Sequence, residues 1–262
     1  MARSLLNALL VNVSLFQAAA ALDANSRWQE IIADNLASSS VPGYKQQQLS
    51  QAAVQAGLMP ASNLQNLPNF FSISSTSAST DFSAGELKYT GNVSASAIDV
   101  AVEGKGFFEV KLPNGMTGLT RDGEFQVNSK GQLVTKESFP VLGVTGPIQL
   151  AADHSGPLAV SSTGLVTQGA ATIGQLKMTD VAKPQLLTKI SGAYFVAQNP
   201  KAGLTASKST VREGYLEGSN SSTLSEMASM MTASRGFEAN QKVIQIQDDR
   251  LKSTISDLGN PI

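Results

Sequence analysis

The single histidine, His154, stands in a Gly, Ser and Pro context with no serine-nucleophile motif and no acidic orienter beside it. A hydrolytic triad needs all three roles to converge, so His154 reads as a surface-loop residue. Carboxylates gather in two other places, Asp248-Asp249 and the pair Asp122 and Glu124. Neighbours on a helix point in different directions, and the second pair falls in a hairpin turn region, so neither pattern makes an acid–base couple or a metal cage. Both read as solvated or interface charges. Gly104-Lys105-Gly106 lacks the spacing and the following Ser or Thr of a phosphate-cradling loop and is flanked by β-like runs, which makes it a strand turn. The chain has no cysteine, which removes thiolate nucleophiles, disulfides and Cys-based metal sites together. Met227, Met230 and Met231 form an adaptable apolar patch that suits partner recognition and helix packing equally. These residues support no catalytic, cofactor-binding or metal site, so no cofactor, no small-molecule substrate and no enzymatic activity are expected.

The elements that carry these residues belong to a weakly charged chain. Charged residues are 15% of the 262, with 19 Lys and Arg against 20 Asp and Glu and no run of like charge. Nothing in that balance draws the protein to nucleic acid or anionic lipid. A hydrophobic content of 42% supports a sizeable core without a staple. The N-terminus has a rival reading. Arg3, the apolar stretch from Leu5 to Phe16 and the small residues Ala18 to Ala21 resemble a cleaved secretory leader. Against it, Asn7, Asn12, Ser14 and Gln17 interrupt the stretch at helical spacing, and the helical pattern runs on to Leu36. The stretch is also too short and polar to span a membrane, and no membrane insertion is expected.

Four segments follow. Residues 1–45 contain a long amphipathic helix, with no Gly or Pro from Ser4 to Ser38 and apolar residues recurring at Leu5, Leu9, Val13, Phe16, Leu22, Trp28, Ile32 and Leu36. Val41-Pro42-Gly43 ends it. Residues 46–80 are rich in Gln, Ser and Asn and have no clear period, which reads as an extended connector anchored by Leu58, Leu64, Leu67, Phe70 and Phe71. Residues 81–220 change to short β-like runs punctuated by Gly, and Asn114-Gly115 between two of them predicts a type I′ hairpin turn. Residues 221–262 are helical again, with Met230, Phe237, Ile244, Leu251 and Leu258 in steps of seven.

The expected fold class is α+β. Long N- and C-terminal helices form a coiled-coil-like helical domain, followed outward by an extended connector and an all-β outer domain. The middle of the chain is too small to cover both helices along their length. Leu5, Leu9, Phe16, Leu22, Ile32 and Leu36, with Met230, Phe237, Ile244, Leu251 and Leu258, are the expected assembly interface, and an intramolecular helical hairpin packed on its own domain is the equally weighted alternative on composition and periodicity alone.

At several of these positions the sequence resembles the flagellar basal-body rod and hook family. Asn35-Leu36-Ala37, followed by Pro42-Gly43-Tyr44-Lys45, is similar to its N-terminal motif. The run from Asp81 to Leu87, then Thr90-Gly91-Asn92, then Gly104-Lys105-Gly106-Phe107-Phe108 and Arg121-Asp122-Gly123, is similar to its β-domain entry. Gly214-Tyr215-Leu216-Glu217-Gly218-Ser219-Asn220, Glu226-Met227 and the run from Arg235 to Asn240 resemble its C-terminal signature. Val93 to Ala97 departs from the family pattern, and Phe139 to Ile148 looks closer to the proximal-rod type than to the distal-rod or hook types. The resemblance implies a structural subunit that stacks with copies of itself and with other rod and hook subunits into a hollow drive shaft in the periplasm. It also implies export by the flagellar type III apparatus without a cleaved signal. The rival function is a secreted adhesive or carbohydrate-binding β module with a cleaved leader.

Overall fold

A computed structural model describes residues 2–55, 72–150 and 156–259. His154 and the connector anchors Leu58, Leu64, Leu67, Phe70 and Phe71 lie outside the described residues. The chain divides into two compact units, one of Met1–Leu36, Gln47–Ser79 and Thr223–Ile262 and the other of Ala37–Gln46 and Thr80–Ser222. Among the described residues, no helix is long and apolar enough to cross a membrane.

The first unit contains α1 (Ala2–Ala37), a two-stranded ribbon of β1 (Gln47–Gln55) and β2 (Ser72–Thr80), and α2 (Thr223–Gly259). An uninterrupted absence of Gly and Pro lets α1 run until the three serines at 38–40. The buried Asn35 amide fixes where the ribbon starts, donating to the Gln47 carbonyl at 2.8 Å and accepting the Gln47 N–H at 2.9 Å. Glu226 in the first turn of α2 suits the positive end of that helix. The helices approach closely where Gly236 meets Asn25, since a Cβ on Gly236 would lie 3.3 Å from Asn25 Nδ2.

The second unit is built from short strands. They are β3 (Leu87–Tyr89), β4 (Ala97–Glu103), β5 (Phe107–Lys111), β6 (Thr117–Thr120), β7 (Glu124–Val127) and β8 (Leu133–Thr135). Then come β9 (Leu142–Gly143), β10 (Gly146–Pro147), β11 (Leu158–Val160), β12 (Leu165–Gln168), β13 (Ala171–Gln175) and β14 (Met178–Val181). The last are β15 (Thr188–Ser191), β16 (Tyr194–Val196), β17 (Leu204–Ala206), β18 (Thr210–Glu213) and β19 (Tyr215–Glu217). A six-stranded sheet runs β15-β16-β6-β5-β14-β17, a four-stranded one β18-β4-β7-β8, and β19 pairs with β3.

Alternation along the strands supplies two cores. Phe108, Val110, Tyr194 and Val196 from the six-stranded sheet join Ile98, Val100, Val102, Phe125, Leu133 and Val211 from the four-stranded sheet. The intervening residues Phe107 and Phe195, with Leu119, turn to the opposite face and pack with Val181, Leu187 and Ala202. The larger sheet is therefore covered on both sides near Phe107 and Phe108, which is why that run is continuously apolar.

The hairpin expected at Asn114-Gly115 forms, but its turn is not type I′. Among the described residues Ser138 alone combines a side chain with positive φ, so Asn114 has none, while Gly115 sits at φ +81°. Leu112 C=O accepts the Gly115 N–H, and Asn114 Oδ1 accepts the Met116 N–H. Pro113, restricted to φ near −65°, favours the ordinary turn over its mirror image.

The expected fold class needs correction. Each chain end supplies a single helix, the described chain between them is mostly β-sheet, and no coiled-coil-like domain appears among the described residues. The reason lies in the covered side of α2, where Met230, Phe237, Ile244 and Leu251 are only half-buried. They alternate with a column of Glu226, Ala233, Asn240 and Gln247, and a seam needs apolar residues in both columns. On α1 the buried set includes Ala18, Ala24 and Asn35 beside Ile31 and Ile32, again too small and polar for a continuous seam.

Phe125 is buried and meets Phe108 edge-on at 5.2 Å between ring centres. Phe125→Ala is expected to destabilise the second unit by about 3–5 kcal/mol, measured by urea unfolding of the full chain.

Candidate functional site: a buried charge clamp

The second unit contains the two stretches that adjoin the helices in sequence, residues 37–46 after α1 and 217–222 before α2. They are tied to each other through Glu217. Its Oε1 accepts from Lys45 Nζ at 2.6 Å and from the Gly85 N–H at 2.9 Å, and its Oε2 accepts from Arg121 Nη1 at 2.9 Å. Lys45 Nζ also donates to the Ser83 carbonyl at 2.6 Å, and Arg121 Nη2 donates to the Gly104 carbonyl at 2.6 Å. Lys45 and Glu217 are each 1% exposed and Arg121 is 5% exposed. Arg121 further stacks over Phe107, 5.0 Å from the ring centre, while its Nε is buried without a partner.

The triad carries one anion and two cations, and that asymmetry sets the protonation. Burial disfavours the Glu217 carboxylate, but Arg121 and Lys45 outweigh it and hold its pKa below the usual range. Burial lowers the Lys45 pKa. Glu217 only partly offsets this, because Arg121 presses in the same direction as burial. Charge-assisted hydrogen bonds offset much of the cost of burying such a group.

Backbone packing closes the clamp. Gly43 has φ +67°, and a Cβ there would stand 2.3 Å from the Arg121 carbonyl carbon and the Asp122 nitrogen. A Cβ on Gly85 would fall 1.9 Å from the Gly218 oxygen. The Gly43 N–H donates to the Glu217 carbonyl at 2.7 Å, and the Gly218 N–H to the Glu86 carbonyl at 2.8 Å. Asn220 completes the tie, its Oδ1 accepting from the Gln46 N–H at 2.6 Å and its Nδ2 donating to the Asp81 carbonyl at 2.9 Å. Tyr44 is fully buried, and Lys189 Nζ donates to its hydroxyl at 2.9 Å.

Asp122 lies against this arrangement. The sequence reading expected a solvated charge, whereas the structure buries it, with Oδ1 accepting the Glu124 N–H at 3.0 Å. The cause is Gly123, which brings the turn so close to β4 that a Cβ would sit 1.7 Å from the Val100 oxygen. Burial, with Glu124 and Glu137 nearby, pushes the carboxyl up to about 7. Glu137 also accepts from the Tyr194 hydroxyl, whose pKa is raised chiefly by burial.

The structure gathers Gly43, Tyr44, Lys45, Gly104, Phe107, Arg121, Asp122, Gly123, Gly218 and Asn220 around the clamp. Gly106 caps the neighbouring turn through its N–H to Ser209 Oγ, and Phe108 faces the main core. Ser219 Oγ accepts the Ser221 N–H, and Pro42 is half-buried in the turn after α1. Asn35, Leu36 and Ala37 close α1 as a separate group. Leu5, Leu9 and Phe16 lie on α1 and Leu258 on α2, while Leu22 is half-buried and Ile32 is buried within its own unit. Ser83, Gly85 and Glu217 lie in the motif runs 81–87 and 214–220, but their meeting in one buried clamp was not expected from the sequence.

Glu217→Gln leaves two buried cations without an anion and is expected to cost about 3–5 kcal/mol. Lys45→Met keeps the Arg121 pair and should cost distinctly less in the same urea titration. Asp122 predicts a pH dependence. The fold holds its proton up to about pH 7, whereas the unfolded chain releases it near its ordinary 3.8. The folded state binds the extra proton between those values, so stability falls as pH rises across that window. The urea midpoint is expected to drop from pH 5 to pH 7.5, and Asp122→Asn, which keeps the acceptor for Glu124, should flatten the drop.

Comparison with known proteins places these motifs. Residues 101–168 match the flagellar hook protein FlgE/F/G D1 domain, and residues 212–257 match the flagellar basal body rod FlgEFG protein C-terminal region. The flagellar basal-body rod protein FlgG of Agrobacterium fabrum is 31% identical over 258 residues, covering 88% of this chain and 94% of that protein. FlgF of Escherichia coli is 29% identical over 249 residues, covering 90% and 94%. FlgG of Caulobacter vibrioides is 28% identical over 261 residues, covering 92% and 97%. With both terminal signatures and the β-domain entry joined at one buried clamp, the chain belongs to the flagellar basal-body rod protein family, a family of structural, non-enzymatic subunits.

Proposed function

We propose that this rod subunit polymerises with copies of itself and with other rod and hook subunits into the hollow drive shaft that transmits torque across the periplasm. In this reading it reaches its place through the flagellar type III export apparatus without a cleaved signal. Residues 1–45 and 221–262 form the inner layer of the shaft, 46–80 the connector and 81–220 the outer layer. Leu5, Leu9, Phe16, Leu22 and Leu36 on α1, with Met230, Phe237, Ile244, Leu251 and Leu258 on α2, contribute to subunit contacts. Ile32 serves the packing of its own unit.

The observation that carries this reading is the patterning of α2. Leu224, Met227 and Met231 share one face and are exposed, with Val243 and Ile246 exposed further along, while Glu226 on the first turn is buried. A helix that hides a carboxylate and presents leucine and methionine to solvent has an apolar surface suited to a partner outside the subunit. The clamp complements it by holding the approaches to both helices in one place.

Met231→Asp tests the idea, because an exposed side chain can change with little effect on the isolated subunit. The urea midpoint is expected to hold to within about 0.5 kcal/mol, while swimming of cells carrying the variant is lost. Normal swimming would count decisively against assembly through this face.

A further inference from the structure

The outer strands of the two large sheets are closed in different ways. β15 carries Lys189 and an irregular register between Lys189 and Ser191. β8 is covered by the segment that follows it, with the Thr135 N–H bonded to the Phe139 carbonyl and the Leu133 N–H to the Ile148 carbonyl. On β18 the Val211 N–H donates to the Ser162 carbonyl, and Arg212 is clasped by Glu103. β17 has no such device: Leu204, Thr205 and Ala206 are all exposed, and the strand holds no charge, proline or bulge. Natural sheets seldom leave an edge in that state.

The register identifies the free backbone groups. Ala182 N–H donates to the Gly203 carbonyl and Ser207 N–H to the Met178 carbonyl, with Thr205 opposite Asp180 between them. Hydrogen-bonded pairs alternate along an antiparallel ladder, so Thr205 turns its backbone groups inward while Leu204 and Ala206 turn theirs outward. Beside this edge lies a groove of ≈ 650 Å³ whose lining includes Thr163, Gln175, Ser207 and Lys208. The exposed apolar residues Val144 and Leu204 also line it. The Lys177–Glu109 pair in its wall is matched at 2.9 Å and Lys208 also lines it, so the edge takes a strand that brings no further positive charge.

The same chain supplies a segment of that chemistry. From Gln46 to Thr80 no Asp, Glu, Lys or Arg occurs. Within this stretch β2 reads Ser-Ile-Ser-Ser-Thr-Ser-Ala-Ser-Thr and pairs only with β1 among the described residues. Ser77, Ala78 and Ser79 are exposed. A two-stranded ribbon alone is marginal in water, and an uncharged one has no defence against further pairing.

We propose that β2 of one copy adds as an extra strand to the β17 edge of a second copy, extending its six-stranded sheet. Main-chain bonds to Leu204 and Ala206 supply the attachment, and a strand without charged side chains fits beside Lys208 and the matched Lys177–Glu109 pair. The inference rests on the assembly reading above, and the two are separated by different readouts.

The absence of cysteine makes the test direct. Ala78→Cys and Thr205→Cys are made separately, given different tags and expressed together in swimming cells. A short bismaleimide then reaches both direct partners and the diagonal neighbours, about 7–8 Å apart, in such a pairing. The expected product is a dimer carrying one of each tag, and Ala206→Pro in the Thr205→Cys chain abolishes it with the urea midpoint unchanged. Swimming cells without that dimer overturn the strand addition and leave the assembly reading standing. Dimers of one variant alone, a dimer that survives Ala206→Pro, or an intrachain link in the double-cysteine chain also overturn it.

Discussion

A carboxylate taken out of water demands compensation, and Glu217 receives it from two cations that approach from different parts of the chain. Lys45 comes from the turn after α1 and Arg121 from the end of β6, while Glu217 itself ends β19 just before α2. Burial disfavours the Glu217 carboxylate, and Arg121 and Lys45 together hold it below its ordinary pKa. The geometry of the triad therefore dictates where the polypeptide must leave the β unit at both ends. Glycines follow from the same constraint, because Gly43 and Gly85 sit where backbone meets backbone too closely for any side chain.

Lys45, Arg121 and Glu217 are engaged with one another and with the backbone carbonyls of Ser83 and Gly104. The two-sided covering of the six-stranded sheet gives Arg121 a rigid backing through Phe107. The sheet that supports the clamp is closed at β15 and open at β17, so rigidity and an available edge coexist in one unit. The helices differ again: their covered sides mix apolar with polar residues, and the apolar side chains left exposed on α2 lie away from that side.

Much of the architecture could be read from residue order. A long stretch free of Gly and Pro marked the first helix and steps of seven marked the second, while short apolar runs at 98–102, 107–112 and 124–128 marked strands of the main core. Strands such as those at 47–55, 72–80 and 204–206 went unread because their sequences are short or polar and show no apolar period. The coiled-coil expectation failed for a related reason. Steps of seven in one column of α2 were visible, but the second column, with Glu226, Asn240 and Gln247, decides whether a dry seam can form. At Asn114-Gly115 the hairpin was evident from the dipeptide, yet the restricted φ of Pro113 selected the turn.

The sequence alone determined the family, the paired terminal helices and the β-rich middle, because these rest on local patterns of a few to several tens of residues. Tertiary structure alone decided that Lys45, Arg121 and Glu217 share one site, that Asp122 is buried rather than solvated, and that β17 is the edge left open. Each of those outcomes depends on which distant segments shield a group from water, and solvent exclusion is a property of the packed chain and not of any stretch within it.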